Sequence, residues 1–299
     1  MRSRIIFMGT PEFAAPALHA LAKQVSADHL LVVTQPDRPA GRGRRLQPPP
    51  VKRHAADSGL EIIQPQTLRD PAVRQRLTDF EPALIVVAAF GLLLPKWVLE
   101  LPPGGCVNLH ASLLPRFRGA SPVAAAIASG DSHTGVALMQ MERGLDTGAV
   151  FDASELDIEK QDTTESLTAR LAQSAAELLT LNLQPLLDGA IVADPQQGPI
   201  VETRKLVKDH GAIDWRQSAQ IIERHIRAMW PWPRAWAETQ DGTRFQVHEA
   251  TLVEDGDNAV PGEIAHIDGR IAVASEPGWL ALERVQLAGK TAQTGSELI

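Results

Sequence analysis

Short apolar runs alternate with helix-like segments through the first half of the 299-residue chain, and this alternation limits the fold most strongly. The runs that predict strands are 4–8, 30–34, 83–88, 105–109 and 135–139. Segments with helical features lie between them, at 13–23, at 51–58 and after Asp70-Pro71. The run 83–88 is apolar at every position, as expected of a parallel strand that is buried on both faces. The pattern predicts βαβ units and an open α/β sheet, mostly parallel, that is covered by helices.

The pattern changes in the second half of the chain. A long amphipathic helix is predicted over 164–184 and is expected to end at Pro185. The segment that follows has Pro, Gln and Gly and little periodicity, which is typical of a linker. Beyond it, one helix and several short strand-like runs between Asp-Gly and Pro-Gly turns predict a small, mostly β domain, expected to be a barrel. The predicted division is a first domain over 1–187, a linker over 188–206 and a second domain over 207–299.

Composition and charge exclude several classes of protein. No apolar run approaches the roughly 18 residues of a membrane helix, and the N-terminus lacks the apolar core of a signal peptide. The single cysteine, Cys106, excludes an internal disulfide and is typical of a reducing compartment, so we expect a cytoplasmic protein. The net charge of −7 argues against a protein that coats nucleic acid over its whole surface. Because the chain has neither HExxH nor CxxC, we expect no metal site.

Asn108 and His110 lie two residues apart at the end of the strand predicted over 105–109. Such residues project to the same side, here at the carboxyl end of the sheet, where open α/β proteins bind ligands. An isolated pair of this kind is more often buried and satisfied by backbone groups. The sequence that follows, SLLPRFRGASP, has the Pro and Gly density of a shaped loop, which favours a ligand site.

Asp146 lies between Gly144 and Gly148 in the segment MERGLDTGAV. Taken alone, this segment is typical of a surface turn. Together with Asn108 and His110, however, it completes a set that suits acyl transfer. An amide can stabilise an oxyanion, an imidazole can donate a hydrogen bond to the same oxygen or relay protons, and a carboxylate can hold the imidazole and favour its charged form. The segment FGLLLP would form the apolar wall of the pocket beside them, although this segment alone favours a buried turn at least as much.

A basic stretch, QPDRPAGRGRRLQPPPVKR, covers residues 35–53. Most charge runs are only solvated surface. Here glycines flank Arg42, which predicts a mobile loop whose arginines can contact RNA phosphates or enter an RNA groove. The stretch has no aromatic residue for stacking on bases, and it lacks the GxGxxG and Walker A phosphate-binding motifs.

These motifs together resemble those of the formyltransferases that use 10-formyltetrahydrofolate. The signature is NLHASLLPRFRGASP followed by MQMERGLDTGAV, and TQPDRPAGRGRRLQPPPVK and MWPWPRAW narrow the resemblance to the methionyl-tRNA formyltransferases. It implies a Rossmann-like N-terminal formyltransferase domain and a smaller C-terminal OB-like β-barrel domain that binds tRNA. It also implies transfer of the formyl group of 10-formyltetrahydrofolate to the amino group of methionine on initiator methionyl-tRNA, which gives N-formylmethionyl-tRNA for translation initiation.

The resemblance also implies roles for individual residues. Asn108, His110 and Asp146 would be catalytic. The residues that would bind folate are Phe90, Gly91, Leu92, Leu93, Ser112, Leu113, Leu114 and Pro115. The residues that would bind tRNA are Arg38, Arg42, Arg44 and Arg45. The expected protein uses no metal, contacts no membrane and is a monomer. Ala111 and Phe117 replace the more usual Gly and Trp, changes that are expected to affect packing or the fit of folate.

Several alternatives stay open from the residues. One is a formyltransferase that acts on a small amine, such as a nucleotide sugar or glycinamide ribonucleotide, against which the arginine loop and the β-rich C-terminal domain argue. Another is a hydrolase that releases formate from the same folate without any RNA. A third is a non-catalytic RNA-binding protein, which would have no affinity for folate. A nicotinamide dehydrogenase is disfavoured because GTPEFA lacks the glycine spacing of a dinucleotide site.

Overall fold

A computed structural model describes residues 3–40, 43, 45–253 and 259–298 of the chain. Its contacts divide the chain into two compact units. Unit 1 comprises Met1–Gly119, Thr134–Leu156 and Thr168–Glu202, and unit 2 comprises Ala120–His133, Asp157–Leu167 and Thr203–Ile299. Within the described ranges, none of the helices combines the length and the apolar character that crossing a bilayer requires.

The strands up to residue 203 are short, and most alternate with helices. In chain order they are β1 (Ile5–Gly9), β2 (Leu30–Val33), β3 (Arg38–Ala40), β4 (Arg45–Gln47), β5 (Glu61–Ile63), β6 (Leu84–Ala88), β7 (Cys106–His110), β8 (Arg118–Gly119), β9 (His133–Gln140), β10 (Val150–Asp157) and β11 (Glu202–Thr203). The helices are α1 (Ala15–Gln24), α2 (Pro50–Asp57), α3 (Pro71–Asp79), α4 (Lys96–Leu99), α5 (Pro122–Ser129) and α6 (Thr164–Leu187).

The core of unit 1 is a seven-stranded sheet in the order β10-β9-β7-β6-β1-β2-β5. The pairs β1–β2, β1–β6, β2–β5 and β6–β7 are parallel, whereas β9 runs antiparallel to β7. Every residue of β1, β2 and β6 is buried, as the continuous apolar runs predict. Fully burying one large aliphatic side chain contributes about 1.5–3 kcal/mol, so these strands form the stable centre that positions β7. The predicted α/β fold is confirmed.

Two helix boundaries differ from the prediction. The first helix is predicted to begin at residue 13, but a 3₁₀ turn over Glu12–Ala14 precedes α1, which begins at Ala15. Thr10, which lies before this turn, donates its hydroxyl to the Phe90 carbonyl at 2.9 Å. The long helix was expected to end at Pro185, but α6 includes this residue and continues to Leu187. A proline in the last turn removes only one backbone N–H from the helix, and the Pro185 carbonyl still accepts from Ala190 N at 2.9 Å.

Within the basic stretch, β3 and β4 form an antiparallel hairpin rather than an irregular loop, and residues 50–53 form the start of α2. Arg38 pairs with Gln47 and Ala40 with Arg45. Arg42 and Arg44, which lie between β3 and β4 in the sequence, are outside the described residues.

Unit 2 is built on antiparallel strands and contains α7 (Ala219–Ala228), whose N-cap Ser218 accepts a hydrogen bond from Ile221 N. The strands are β12 (Ala235–Glu238), β13 (Arg244–Val253), β14 (Ile264–Ile267), β15 (Arg270–Ser275), β16 (Gly278–Leu287) and β17 (Gln293–Thr294). They pair in the order β12-β13-β16-β15-β14, and β17 pairs with β16. The mostly β composition is confirmed, and closure of this sheet into an OB-like barrel stays a prediction.

Candidate active site

β7 carries Asn108 and His110 between two neighbouring strands. Asn108 pairs with Val87 of β6 on one side and with Met139 of β9 on the other. Its side chain is only half-buried, and its amide has no hydrogen-bond partner among the residues that the structure describes. A primary amide in this position can donate to a ligand oxygen at little cost to the fold.

Both ring nitrogens of His110 face a defined group. Nε2 lies 3.0 Å from the carbonyl oxygen of Phe117. Since a carbonyl can only accept, Nε2 carries the proton of this hydrogen bond. Nδ1 lies 3.7 Å from Oδ2 of Asp146. A second proton on Nδ1 would therefore give an imidazolium that faces a carboxylate.

Asp146 is fixed by its surroundings in an uncommon backbone conformation. Its φ of 51° lies in the left-handed region, where Asp is one of the better tolerated residues. Its Oδ2 also accepts a hydrogen bond from Gly119 N at 2.8 Å. A Cβ on Gly148 would meet the carbonyl oxygen of Gln140 at 1.9 Å, so this glycine lets the loop approach β9 closely. The structure brings Asp146 and His110 together, as the sequence interpretation expected.

Gln196 is a residue of this site that sequence reasoning missed. Its Nε2 donates to the carbonyl oxygens of Asp146 and Gly148, at 2.8 and 2.7 Å. Its Oε1 accepts from Nε and Nη2 of Arg118, at 3.0 and 2.7 Å. Gln196 lies in the segment predicted to be a linker, and nothing in its local pattern distinguishes it from its neighbour Gln197.

Several side chains of the loop after β7 make their contacts within the protein. Ser112 is fully buried, and its hydroxyl donates to the Arg116 carbonyl at 2.6 Å. Leu113 packs on Gly135 of β9, where a Cβ would lie 2.6 Å from the Leu113 side chain. Pro115 is buried and Leu114 is half-buried. Ser112 and Leu113 therefore fix the shape of this loop, and contact of any of these residues with folate stays a prediction.

In the segment Phe90 to Leu93, the first residue is buried and the residues that follow it are more exposed. Phe90 is buried, and its carbonyl accepts from Thr10 Oγ1 at 2.9 Å and from Gln35 Nε2 at 3.2 Å. Gly91 is exposed with a φ of 85°, Leu92 is half-buried, and Leu93 is 88% exposed. Leu93 therefore lies largely in solvent, and the role of this segment as the apolar wall of a pocket stays a prediction.

Two arginines of the β3–β4 hairpin, Arg38 and Arg45, have different environments. Arg38 donates from Nη2 to Oε1 of Gln35, whose Nε2 in turn donates to the Phe90 carbonyl. Arg45 is exposed on β4. Arg38 is thus tied to the segment that precedes Leu93, whereas Arg45 faces solvent.

Cys106 is not a candidate nucleophile. It is 1% exposed, and its Sγ lies 3.4 Å from the carbonyl oxygen of Val98. Burial raises the pKa of the Cys106 thiol to about 12, so the reactive thiolate is scarce at neutral pH. No group of three or more His, Cys, Asp or Glu side chains that could hold a metal ion is found among the described residues.

Two family models cover most of the chain. The model described as "Formyl transferase" matches residues 1–183, and the one described as "Formyl transferase, C-terminal domain" matches residues 205–299.

Solved structures of low sequence identity share the fold. The N-formyltransferase from Helicobacter canadensis, in complex with folinic acid and dTDP-3-aminofucose, superposes with a TM-score of 0.72 at 16% identity, over 97% of this chain and 100% of that chain. HypX from Aquifex aeolicus, in complex with tetrahydrofolic acid, gives a TM-score of 0.66 at 15% identity, over 100% of this chain and 47% of that chain.

Curated relatives match over almost their full length. The methionyl-tRNA formyltransferase of Stenotrophomonas maltophilia is 45% identical over 301 residues, covering 99% of this chain and 96% of the relative. That of Marinobacter nauticus is 43% identical over 298 residues, covering 99% and 95%. These matches, together with the family models, show that the chain belongs to the formyltransferase family, in its group of methionyl-tRNA formyltransferases.

Proposed function

We propose that this chain transfers the formyl group of 10-formyltetrahydrofolate to the amino group of methionine on initiator methionyl-tRNA. The observation that carries the proposal is the full-length similarity to methionyl-tRNA formyltransferases of 43–45% identity. The arrangement of Asn108, His110 and Asp146 supports it, because the three side chains suit acyl transfer.

Asn108 has the role of stabilising negative charge on the formyl oxygen. An N-formyl group is amide-like and a poor electrophile, so the difficult part of the reaction is the charge that develops on this oxygen. A single oriented amide donor typically contributes about 3–4 kcal/mol to such a transition state. The half-buried Asn108 amide, which has no partner within the described part of the chain, suits this task.

His110 and Asp146 have the role of supplying a proton at the same site. The Phe117 carbonyl holds the Nε2 proton, so the Nδ1 atom is the one that can gain or lose a proton near Asp146. Asp146 orients the ring and stabilises its charged form. A bound water and this pair can relay the proton that the amine loses after attack to the leaving nitrogen of the folate, so that His110 and Asp146 end the reaction in the protonation state in which they began. The attacking amine must be neutral. A free α-amino group has a pKa of about 7.7–8.0, and the ester bond to tRNA next to it lowers this pKa, so the amine needs little help to lose its proton before attack.

The remaining assignments complete the proposal. The segments around Phe90 to Leu93 and Ser112 to Pro115 bind folate, and the arginines of the β3–β4 hairpin bind the acceptor end of the tRNA. Residues 1–187 act as the catalytic domain and residues 207–299 as the tRNA-binding domain, joined by 188–206. We also propose that the protein acts as a cytoplasmic monomer without a metal, and a single buried cysteine is consistent with a reducing compartment.

The direct test is formyl transfer from 10-formyltetrahydrofolate to methionyl initiator tRNA. Methionyl elongator tRNA and a reaction without acceptor serve as parallel controls. We expect formylation of the initiator tRNA alone. Formate release that does not depend on tRNA would instead identify a folate hydrolase, and transfer to a nucleotide sugar but not to tRNA would identify a small-amine formyltransferase.

A further inference from the structure

We propose that Gln196 is a positioning residue for formyl transfer, which holds the Asp146 loop so that its carboxylate faces His110. This inference rests on the proposed function and adds to it a residue from the segment between the two predicted domains. The side chain of Gln196 forms hydrogen bonds with Arg118, Asp146 and Gly148, and none of these bonds involves His110. Its effect on His110 is therefore exerted through Asp146.

The loop that carries Asp146 has little packing of its own. Residues 142–145 are all exposed, and Leu145 is 60% exposed. Asp146 itself adopts a left-handed φ of 51°, a conformation that persists in a non-glycine residue only when its surroundings hold it. Contacts from outside the loop are therefore needed to keep the Asp146 carboxylate in place.

Gln196 supplies such contacts to two backbone carbonyls, that of Asp146 itself and that of Gly148, two residues further along the chain. Its amide nitrogen donates to the carbonyl of Asp146 at 2.8 Å and to that of Gly148 at 2.7 Å. Both protons of the amide are used, so the side chain fixes two points of the turn at once. A shift of either carbonyl would rotate the Asp146 backbone and move its carboxylate relative to His110.

The other end of the Gln196 side chain holds the second element that contacts Asp146. Its Oε1 accepts two hydrogen bonds from the Arg118 guanidinium, at 3.0 and 2.7 Å. The next residue, Gly119, donates its backbone N–H to Oδ2 of Asp146 at 2.8 Å. One side chain thus ties together the two elements whose contact orients the carboxylate. The orientation of its amide is unambiguous, because carbonyls only accept and guanidinium only donates.

The segment around Gln196 is itself anchored to unit 1 by its backbone. Asp194 and Val150 exchange two hydrogen bonds, at 2.8 and 2.9 Å. On the other side of Gln196, the Val201 carbonyl accepts from Arg118 N at 2.9 Å. Because it is held on both sides, the segment can present Gln196 in a fixed position, which a positioning role requires.

The test compares Gln196→Met and Gln196→Glu with the matched control Gln197→Met. Methionine has a similar length but makes no hydrogen bonds of this strength, whereas glutamate still accepts from Arg118 but cannot donate to the two carbonyls. We expect both Gln196 variants to lower kcat by about 10- to 100-fold, since a displacement on the order of 1 Å is enough for such a loss. The KM for 10-formyltetrahydrofolate and the thermal midpoint should stay close to wild type, and the exposed Gln197 variant should behave as wild type.

A double-mutant cycle distinguishes positioning from a general structural role. In the Asp146→Ala background, Gln196→Met should have no further effect on kcat, because the group that it positions is absent. An additive loss in the cycle, unchanged turnover in both Gln196 variants, or loss of kcat only together with thermal stability would each overturn the proposal. A wild-type chain without formyl transfer would overturn the proposed function as well, so the two failures are distinguishable.

Discussion

Nδ1 of His110 lies 3.7 Å from Oδ2 of Asp146, in a pair whose side chains are only 7% and 13% exposed. The same Oδ2 accepts from Gly119 N, and the other ring nitrogen of His110 faces the Phe117 carbonyl. Both members of the pair are thus oriented by backbone groups of one loop.

Removal of the Asp146 charge is expected to lower turnover strongly. Asp146→Asn keeps the size of the side chain and an oxygen for the Gly119 N–H, but it removes the charge that stabilises a protonated His110. We predict a fall in kcat of at least ~100-fold with the fold intact. The measurement is steady-state formyl transfer together with thermal unfolding, with Asp188→Asn as a control. A kcat of Asp146→Asn equal to that of wild type would show that the reaction does not need the Asp146 charge.

Asn108→Ala is expected to lower kcat by a similar factor, but for a different reason. The substitution removes the proposed donor to the formyl oxygen, and we predict a kcat at least ~100-fold below wild type. Because the amide has no partner among the described residues, the thermal midpoint should change little. A large fall in stability would contradict this, since it would show that the amide contributes to the fold.

The sequence could predict the parts of the fold and site that depend on local pattern. The apolar runs identified β1, β2 and β6, and the period-2 rule placed Asn108 and His110 on one side of β7. The roles of Thr10 and Gln196 could not be predicted in this way. Thr10 donates to a carbonyl 80 residues away, and Gln196 contacts a loop 48 to 50 residues before it. Such pairings depend on tertiary packing, which no window of neighbouring residues encodes.

Substitution of the two described arginines of the hairpin should change the KM values for tRNA and folate in different ways. Arg45→Ala removes an exposed cation, so we expect a higher KM for tRNA, a weaker dependence on salt and an unchanged KM for folate. Arg38→Ala removes the donor to Gln35, which holds the Phe90 carbonyl, so we expect a higher KM for both substrates. Kinetics at two salt concentrations would test this, and identical effects of the two variants would contradict it.

The Cys106 thiol should be unreactive in the folded protein. Burial raises its pKa to about 12, and the side chain is 1% exposed. We predict that an aromatic disulfide reagent at pH 8 modifies the thiol only after unfolding, and that Cys106→Ala keeps kcat within about threefold of wild type. Rapid labelling of the native protein, with loss of activity, would contradict both expectations.

His248 should make the folded state less stable in mild acid. Burial, followed by the charges of Arg234 and Arg284, lowers its pKa to about 4. In the unfolded chain the pKa is about 6.5, so between these values the unfolded chain binds a proton that the folded chain does not. The free energy of unfolding should therefore fall as the pH decreases from about 6.5 towards 4, with no contribution from His248 above that range.

Urea unfolding at pH 7 and pH 5 tests this expectation. Between these pH values, His248→Gln should lose less of its free energy of unfolding than wild type, whereas the exposed His19→Gln control should match wild type. An equal loss in His248→Gln and wild type would show that other groups cause the pH dependence.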